Sequence, residues 1–171
     1  MTTEFGDIEI QLYLSKAPVS VTNFLRYVDA GDFNGGTFYR VVRADNDNGS
    51  PQIAVIQGDV KNGDKQWPAI KLETTEQTGI KHRDGTLSMA RGAPDSATSV
   101  FFICVGAQPS LDFGGMRNTD GKGFAAFGRV VRGMEVVRKI NEIRQAKDVD
   151  DDYMKGQMLA KPVMIERVKR Q

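Results

Sequence analysis

The sequence predicts a mostly β fold, either an antiparallel barrel or a sandwich with helices packed at its open ends. Three observations support this prediction. Many short segments have the composition or the alternation of strands, and only two segments have the apolar spacing of a helix. Strands and helices also do not alternate along the chain as they do in a parallel βαβ sheet, which favours antiparallel pairing.

The first two elements are a strand and a helix. The stretch GDIEIQLYL alternates Ile or Leu with polar residues, which is the period of a strand with one face in a core. A helix is predicted over 18–30, because Pro18 suits a first helical position and apolar residues follow at helical spacing. Gly31 stands where a helix C-terminus favours glycine.

The later elements are shorter and are separated by loops rich in Gly, Asn, Asp and Pro, including the loop 61–68. The acidic run at 148–153 predicts a solvated connection before the last strand. Further strands are predicted at 37–42, 53–58, 85–90, 99–105, 125–131 and 162–168, and a second helix at 134–143.

Composition limits the classes of partner and compartment. A chain of 171 residues, 40% hydrophobic and 26% charged, fits a single domain over 1–171. Its formal net charge of +1 gives no electrostatic reason to expect nucleic acid or an anionic membrane as a partner. No apolar run approaches the roughly 18 residues that span a bilayer. We therefore expect a cytoplasmic protein as the sequence is written, or a periplasmic one if an N-terminal leader has been removed.

Metal, redox and hydrolytic sites find little support in the sequence. The loop that starts at Asp45 fails the calcium-loop pattern, since Ser50 stands where that loop requires glycine. His82 and Cys104 are the only histidine and the only cysteine, too few for a usual zinc site in one chain. No serine lies in a nucleophile-elbow context. We therefore expect no cofactor, and chemistry such as rotation about an X-Pro bond needs none.

The stretch TFYRVV at 37–42 places an arginine in a strand. If the strand alternates, Arg40 shares a face with Phe38 and Val42, where an unpartnered guanidinium would be costly to bury. One interpretation is that the stem of Arg40 covers apolar surface while its head reaches water. The other is that the charge faces a groove in which something else binds.

Several motifs taken together resemble the cyclophilin family of peptidyl-prolyl isomerases. They are TFYRVV followed by VIQGD, then GTLSMAR, then SATSVFFICVGAQPSLD leading to FAAFGRVVRGMEVV. The resemblance extends over nearly the whole chain. It implies an eight-stranded antiparallel barrel closed by two α-helices, and it implies isomerisation of X-Pro bonds in proline-containing polypeptides, assisting protein folding, as a bacterial-type member.

The resemblance also implies a set of site residues. Arg40 resembles the catalytic arginine, Gln57 the glutamine that holds both arginine and substrate, and Phe102 the floor of the proline pocket with Leu111 on its wall. The other positions implied to contact substrate are Tyr39, Val55, Ala90, Arg91, Val100 and Phe124, of which Ala90 and Arg91, with Gly92, resemble the edge that pairs with the bound peptide.

The chain departs from the family pattern at positions that bear on function. Ala54 and Val55 stand in place of a Phe-Met pair, which predicts a wider and less aromatic pocket. Val100 replaces a glutamine, and Ser110 replaces a tryptophan found in many eukaryotic members, so we expect weak binding of cyclosporin. The alternative function is a peptide-binding or chaperone-like module with weak or no turnover. We expect a monomer in either case.

Overall fold

The computed structural model describes residues 1–64 and 66–171, so Lys65, which falls in the predicted loop 61–68, lies outside the described residues. The described part of the chain contains nine β-strands and three α-helices. In chain order they are β1 (Thr2–Thr3), β2 (Gly6–Asp7), β3 (Glu9–Leu12), α1 (Pro18–Ala30), β4 (Gly36–Val42), β5 (Val55–Asp59), α2 (Thr75–Thr78), β6 (Thr86–Met89), β7 (Phe101–Cys104), β8 (Ala125–Arg132), α3 (Met134–Asn141) and β9 (Met158–Arg167).

The strands form one antiparallel sheet in the order β2-β1-β9-β4-β5-β7-β6-β8-β3. The two ends of this sheet approach each other where Met1 and Ile8 exchange backbone hydrogen bonds of 2.8 and 3.0 Å. The result is a nearly closed barrel, which confirms the predicted mostly β, antiparallel class. No helix in the described ranges is long and apolar enough to cross a membrane.

The predicted counts of eight strands and two helices are wrong for the described residues. The predicted first strand is divided, because Gly6 adopts a φ of +130° and Thr3 Oγ1 donates to the Gly6 carbonyl, which closes a tight β1–β2 hairpin ahead of β3. The additional helix α2 is a single turn held by a capping box between Thr74 and Gln77. One turn is too short to produce a detectable apolar period.

The helix α1 occupies the predicted range 18–30 and packs against the main core. Gly31 follows it in the left-handed conformation, as predicted. Its N-cap, Ala17, has no side chain able to bond the exposed N–H groups. Glu73 supplies the acceptors instead, because its carboxylate accepts from the backbone of Val19 at 3.0 Å and from the backbone and hydroxyl of Ser20 at 2.8 and 2.7 Å.

Strand β4 does not alternate regularly, and this irregularity creates the site. Its register against β5 and β9 shifts between Phe38 and Arg40. Phe38 therefore lies in the main core, whereas Val42 belongs to a second apolar cluster with Phe102. The prediction that Arg40 shares a face with Phe38 is wrong, because the bulge turns the arginine towards the side on which Val42 lies.

Strand β9 begins earlier than predicted, at Met158 and not at 162. Phe38 pairs with Val163 but Arg40 pairs with Met158, so the residues between them on β9, including Pro162, lie in the irregular stretch. An irregular stretch tolerates proline, because no regular ladder there requires the N–H that proline lacks. The early start brings the residue before β9, Gln157, next to β4.

Candidate active site

A cavity of about 390 Å³ opens between β4, β5, the β6–β7 connection and three long loops. Among the predicted site residues, Tyr39 alone is absent from its lining, and it lies directly behind, where its hydroxyl accepts a hydrogen bond from Gln57 Nε2. Burial raises the pKa of Tyr39, and the bond from Gln57 only partly opposes this, so its phenol stays neutral. The predicted residues that line the cavity are Arg40, Val55, Gln57, Ala90, Arg91, Val100, Phe102, Leu111 and Phe124.

The floor of the cavity is apolar. Phe102 is 4% exposed and meets the ring of Phe124 edge-on, with ring centroids 5.4 Å apart and an interplanar angle of 90°. Leu111 and Val42 belong to the same cluster. Such a surface suits a compact aliphatic ring, because burying it removes apolar area from water without leaving a polar group unpaired.

One wall differs from the sequence prediction. Val55 lines the cavity as expected, but Ala54 does not, and the residue before it, Ile53, does. The backbone of Ala54 is instead committed to pairing, since its N–H donates to Gln108 Oε1 at 3.1 Å and its carbonyl accepts from Val105 at 2.9 Å. The wall formed by Ile53 and Val55 is therefore aliphatic.

Arg40 is 8% exposed, and its head lies in the wall of the cavity. Its Nε and Nη2 atoms both donate to Gln157 Oε1, at 2.9 and 2.5 Å, and its Nη1 donates to Gln57 Oε1 at 3.1 Å. A guanidinium has five N–H groups. Within the described residues, one N–H on Nη1 and one on Nη2 have no acceptor, and these two remain available to a bound molecule.

The segment predicted as a solvated connection contributes to the site. Its aspartates Asp150–Asp152 lie towards solvent, but Tyr153 and Met154 line the cavity. The Tyr153 ring centroid lies 5.2 Å from Cζ of Arg40, within the range of a cation–π contact. In the sequence, the available signal was a tyrosine at the end of an acidic run followed by a methionine. No neighbouring residue indicated that this segment would lie beside Arg40.

Two further loops meet at Tyr153. The Tyr153 hydroxyl accepts from Arg117 at 2.8 Å, and Arg117 makes two bonds of 2.8 Å to the carboxylate of Asp47, whose side chain is fully buried. Burial alone would raise the pKa of Asp47, but its hydrogen bonds, led by those from Arg117, hold it below its usual value. These contacts fix the loops 43–54, 112–123 and 143–157 around the cavity.

The opposite rim presents backbone groups. The N–H of Ala90 donates to the Val100 carbonyl at 2.9 Å, whereas the backbone N–H and carbonyl of Arg91 have no partner among the described residues. The side chain of Arg91 makes a paired contact with Asp120, at 2.7 and 2.9 Å. Those bonds lower the pKa of Asp120 to about 2. An extended chain could pair with the free edge at Arg91.

Behind the floor lies a Ser-His-Asp arrangement that the sequence did not predict. His82 Nδ1 lies 2.8 Å from Asp112 Oδ1, and its Nε2 lies 2.9 Å from Ser88 Oγ. Ser88 is 0% exposed, and the imidazole is covered by Phe102 at a ring-centroid distance of 5.9 Å. No substrate carbonyl can reach this serine, so the arrangement supports the floor and does not form a nucleophile.

Metal ligands are not concentrated anywhere in the described ranges, which contain no group of three or more His, Cys, Asp and Glu side chains placed to hold an ion. Cys104 is fully buried within the apolar cluster that contains Phe102, and this burial raises the pKa of its thiol well above the usual value. It behaves as a small apolar side chain.

Comparison with known families assigns the chain. The family model described as "Cyclophilin type peptidyl-prolyl cis-trans isomerase/CLD" matches residues 1–170. The chain belongs to the cyclophilin family. This confirms the resemblance carried by the motifs around Arg40, Gln57 and Phe102.

Relatives of this cyclophilin include bacterial proteins. It is 40% identical over 170 residues to peptidyl-prolyl cis-trans isomerase A of Dickeya dadantii, covering 99% of this chain and 82% of that one. It is 34% identical over 172 residues to peptidyl-prolyl cis-trans isomerase B of Escherichia coli, covering 95% and 96%. A Cryptosporidium parvum cyclophilin crystallised in the presence of the dipeptide Ala-Pro has the same fold, with a TM-score of 0.73, 21% identity and coverage of 98% and 94%.

Proposed function

We propose that this cyclophilin is a peptidyl-prolyl cis-trans isomerase that accelerates rotation about X-Pro bonds in polypeptides. The observation that carries the proposal is a buried arginine with two uncommitted N–H groups beside an apolar floor. This combination suits a proline ring joined to an amide that must twist. The enzyme names of the bacterial relatives support the same activity.

Binding is proposed to use two features of the cavity. The proline ring packs on Phe102 between Leu111 and Phe124, where it removes apolar surface from water. The flanking peptide pairs with the free backbone N–H and carbonyl of Arg91 as an added strand. The two contacts hold the ring and one side of the peptide while leaving the X-Pro bond free to rotate.

Rotation is proposed to be accelerated by electrostatics alone. Amide resonance sets the barrier of roughly 18–20 kcal/mol, and twisting the bond localises a lone pair on the prolyl nitrogen. We infer that the uncommitted N–H groups of Arg40 donate to that nitrogen, an interaction that strengthens as the planar amide is lost. An interaction that is stronger in the transition state than in the ground state raises the rate. The step needs no covalent intermediate, and the neutral phenol of Tyr39 keeps Gln57 in place behind the arginine.

The test is a protease-free exchange measurement by NMR on a peptide with one X-Pro bond. We expect cis and trans resonances to exchange far faster with catalytic amounts of protein than without it. Uncatalysed exchange in a sample in which the peptide demonstrably binds would instead support the peptide-binding or chaperone-like module. The aliphatic wall of Ile53 and Val55 and the presence of Val100 are the features that favour this second function.

Two finer points belong to the same proposal. Action as a monomer is proposed because this chain by itself supplies the arginine, the apolar floor and the free backbone edge that the mechanism uses. Weak binding of cyclosporin is proposed because Val100 presents an aliphatic side chain to the cavity and Ser110, in the 3₁₀ turn Pro109–Leu111, presents a small one beside Leu111.

A further inference from the structure

Arg40 depends on a partner that no sequence motif indicates. Gln157 stands 117 positions along the chain and is 0% exposed, yet its Oε1 accepts from both Nε and Nη2 of Arg40. It therefore occupies one whole edge of the guanidinium, whereas Gln57 takes a single N–H of Nη1. Most of the orientation of Arg40 thus comes from Gln157.

The amide of Gln157 is itself fixed. Its Nε2 donates to the Asn46 carbonyl at 2.9 Å, its backbone N–H donates to Met154 at 3.0 Å, and its carbonyl accepts from Val41 at 2.9 Å. Exchanging the amide O and N would set the NH₂ against the guanidinium and the oxygen against the Asn46 carbonyl, so the contacts define its orientation. The contacts of Gln157 therefore present its oxygen, and not its NH₂ group, to Arg40.

Both anchors of Arg40 are neutral amides. Elsewhere in the site arginines are paired with carboxylates, Arg91 with Asp120 and Arg117 with Asp47. Within the described residues no carboxylate is hydrogen-bonded to Arg40. A neutral acceptor orients a guanidinium without cancelling its charge, and that charge is what a developing lone pair would meet.

We propose that Gln157 is a positioning residue for Arg40, and that it fixes the guanidinium for the twisted amide while leaving its positive charge uncompensated. This inference rests on the proposed isomerase function. It gives the segment before β9, which already places Tyr153 and Met154 in the cavity lining, a second role in orienting the arginine. It also assigns a reason for an amide at 157 instead of a carboxylate.

The test compares Gln157→Met, Gln157→Glu and a control, Ser20→Ala. Ser20 is also fully buried and its hydroxyl donates a hydrogen bond, to Glu73 at 2.7 Å, but it neither lines the cavity nor bonds to Arg40. Exchange rate, peptide dissociation constant and melting temperature are measured for each variant. The Arg40 Nε–H NMR signal, assigned by its loss in Arg40→Lys, reports whether the arginine remains ordered and shielded from solvent exchange.

We expect Gln157→Met to lower the isomerisation rate about tenfold to a hundredfold, the range that a misplaced catalytic group can cost, with the peptide dissociation constant changed less than threefold. Its Nε–H signal should broaden or exchange with solvent. Gln157→Glu should keep the signal sharp but lower the rate, because a carboxylate compensates the charge. Ser20→Ala should lower the melting temperature without affecting the signal or reducing the rate more than twofold.

Three results would overturn the inference. A Gln157→Met protein with the parent's rate and Nε–H signal shows that Gln57 alone positions Arg40. A Gln157→Glu protein as fast as the parent shows that the neutral anchor has no role. Equal rate losses in Gln157→Met and Ser20→Ala show a general effect of destabilisation. If the parent itself does not catalyse exchange, the proposed function fails, and the Nε–H signal still decides whether Gln157 holds Arg40.

Discussion

Replacing Arg40 by alanine gives the strongest test of the electrostatic mechanism. The change removes the two N–H groups that have no acceptor among the described residues, together with three hydrogen bonds to Gln57 and Gln157. Loss of a preorganised donor at a site of developing charge costs about 2.7–4 kcal/mol, or roughly a hundredfold to a thousandfold in rate. We expect that loss in the NMR exchange rate. The peptide dissociation constant from calorimetry should change much less, because the contact strengthens mainly in the transition state.

The same variant has a calculable effect on folding. Gln157 is fully buried, and leaving its oxygen without a donor costs about 1–3 kcal/mol, less if water from the open cavity replaces the guanidinium. Circular dichroism and urea unfolding separate this loss from the loss of turnover. Arg40→Lys should restore little activity, since an ammonium cannot meet both glutamines and the substrate in one plane. A folded Arg40→Ala protein that isomerises within threefold of the parent would refute the mechanism.

Four further outcomes are expected. Val100→Gln should raise kcat/KM about two- to tenfold, because the glutamine adds one hydrogen bond to the peptide. An unchanged or lower value would contradict the interpretation that Val100 leaves this hydrogen bond unmade. The dissociation constant of cyclosporin measured by calorimetry should lie far above the nanomolar range, because Val100 and Ser110 each remove a contact. Losses of about 1.4 kcal/mol apiece multiply to roughly a hundredfold. Nanomolar binding would contradict this expectation. Glu73→Ala should lower the free energy of unfolding measured in urea by about 1–2 kcal/mol, because α1 loses the acceptor that caps its N-terminus. Glu73→Gln should have an intermediate effect. An unchanged urea midpoint would show that the cap is dispensable. The ion pair of Asp120 with Arg91 depresses the carboxyl pKa to about 2, so its contribution to stability is present above the unfolded-state pKa near 3.9 and is lost as pH falls through about 2. The melting temperatures of the parent and Asp120→Asn should therefore differ at pH 7 and converge below about pH 2. A difference that does not depend on pH would show another cause.

Local patterns in the sequence were sufficient for most of the fold. The helix 18–30 matched at both ends, because Pro18 and Gly31 act on the backbone within one or two residues. Strand β4 was recognisable from its aromatic and β-branched composition. The bulge at Arg40 was not, because it depends on the register against two neighbouring strands. The apolar period of a strand indicates which of its own residues share a face, but it does not indicate the register against a neighbouring strand.

Prediction of the site had the same limit. Cyclophilin motifs indicated Arg40, Gln57 and Phe102, which lie within short recognisable stretches and do meet at one cavity. Gln157 and Tyr153 escaped prediction because their importance arises only when the chain returns beside β4. Ile53 was missed because the sequence does not show which of the adjacent residues Ile53 and Ala54 lines the cavity. That choice depends on the backbone pairing of Ala54.

The buried serine, histidine and aspartate behind the cavity floor have a consequence for recognising enzymes by geometric templates. Their separations of 2.9 and 2.8 Å would satisfy a distance search for a hydrolytic triad. The serine nevertheless has no exposed surface, and an aromatic ring lies between the imidazole and the cavity. Three side chains at the distances of a hydrolytic triad can therefore form a structural hydrogen-bond network and no activated nucleophile. A template that also required a solvent path to the serine oxygen would classify Ser88 as a structural serine. The same requirement would keep other proteins with this buried network from being classified as hydrolases.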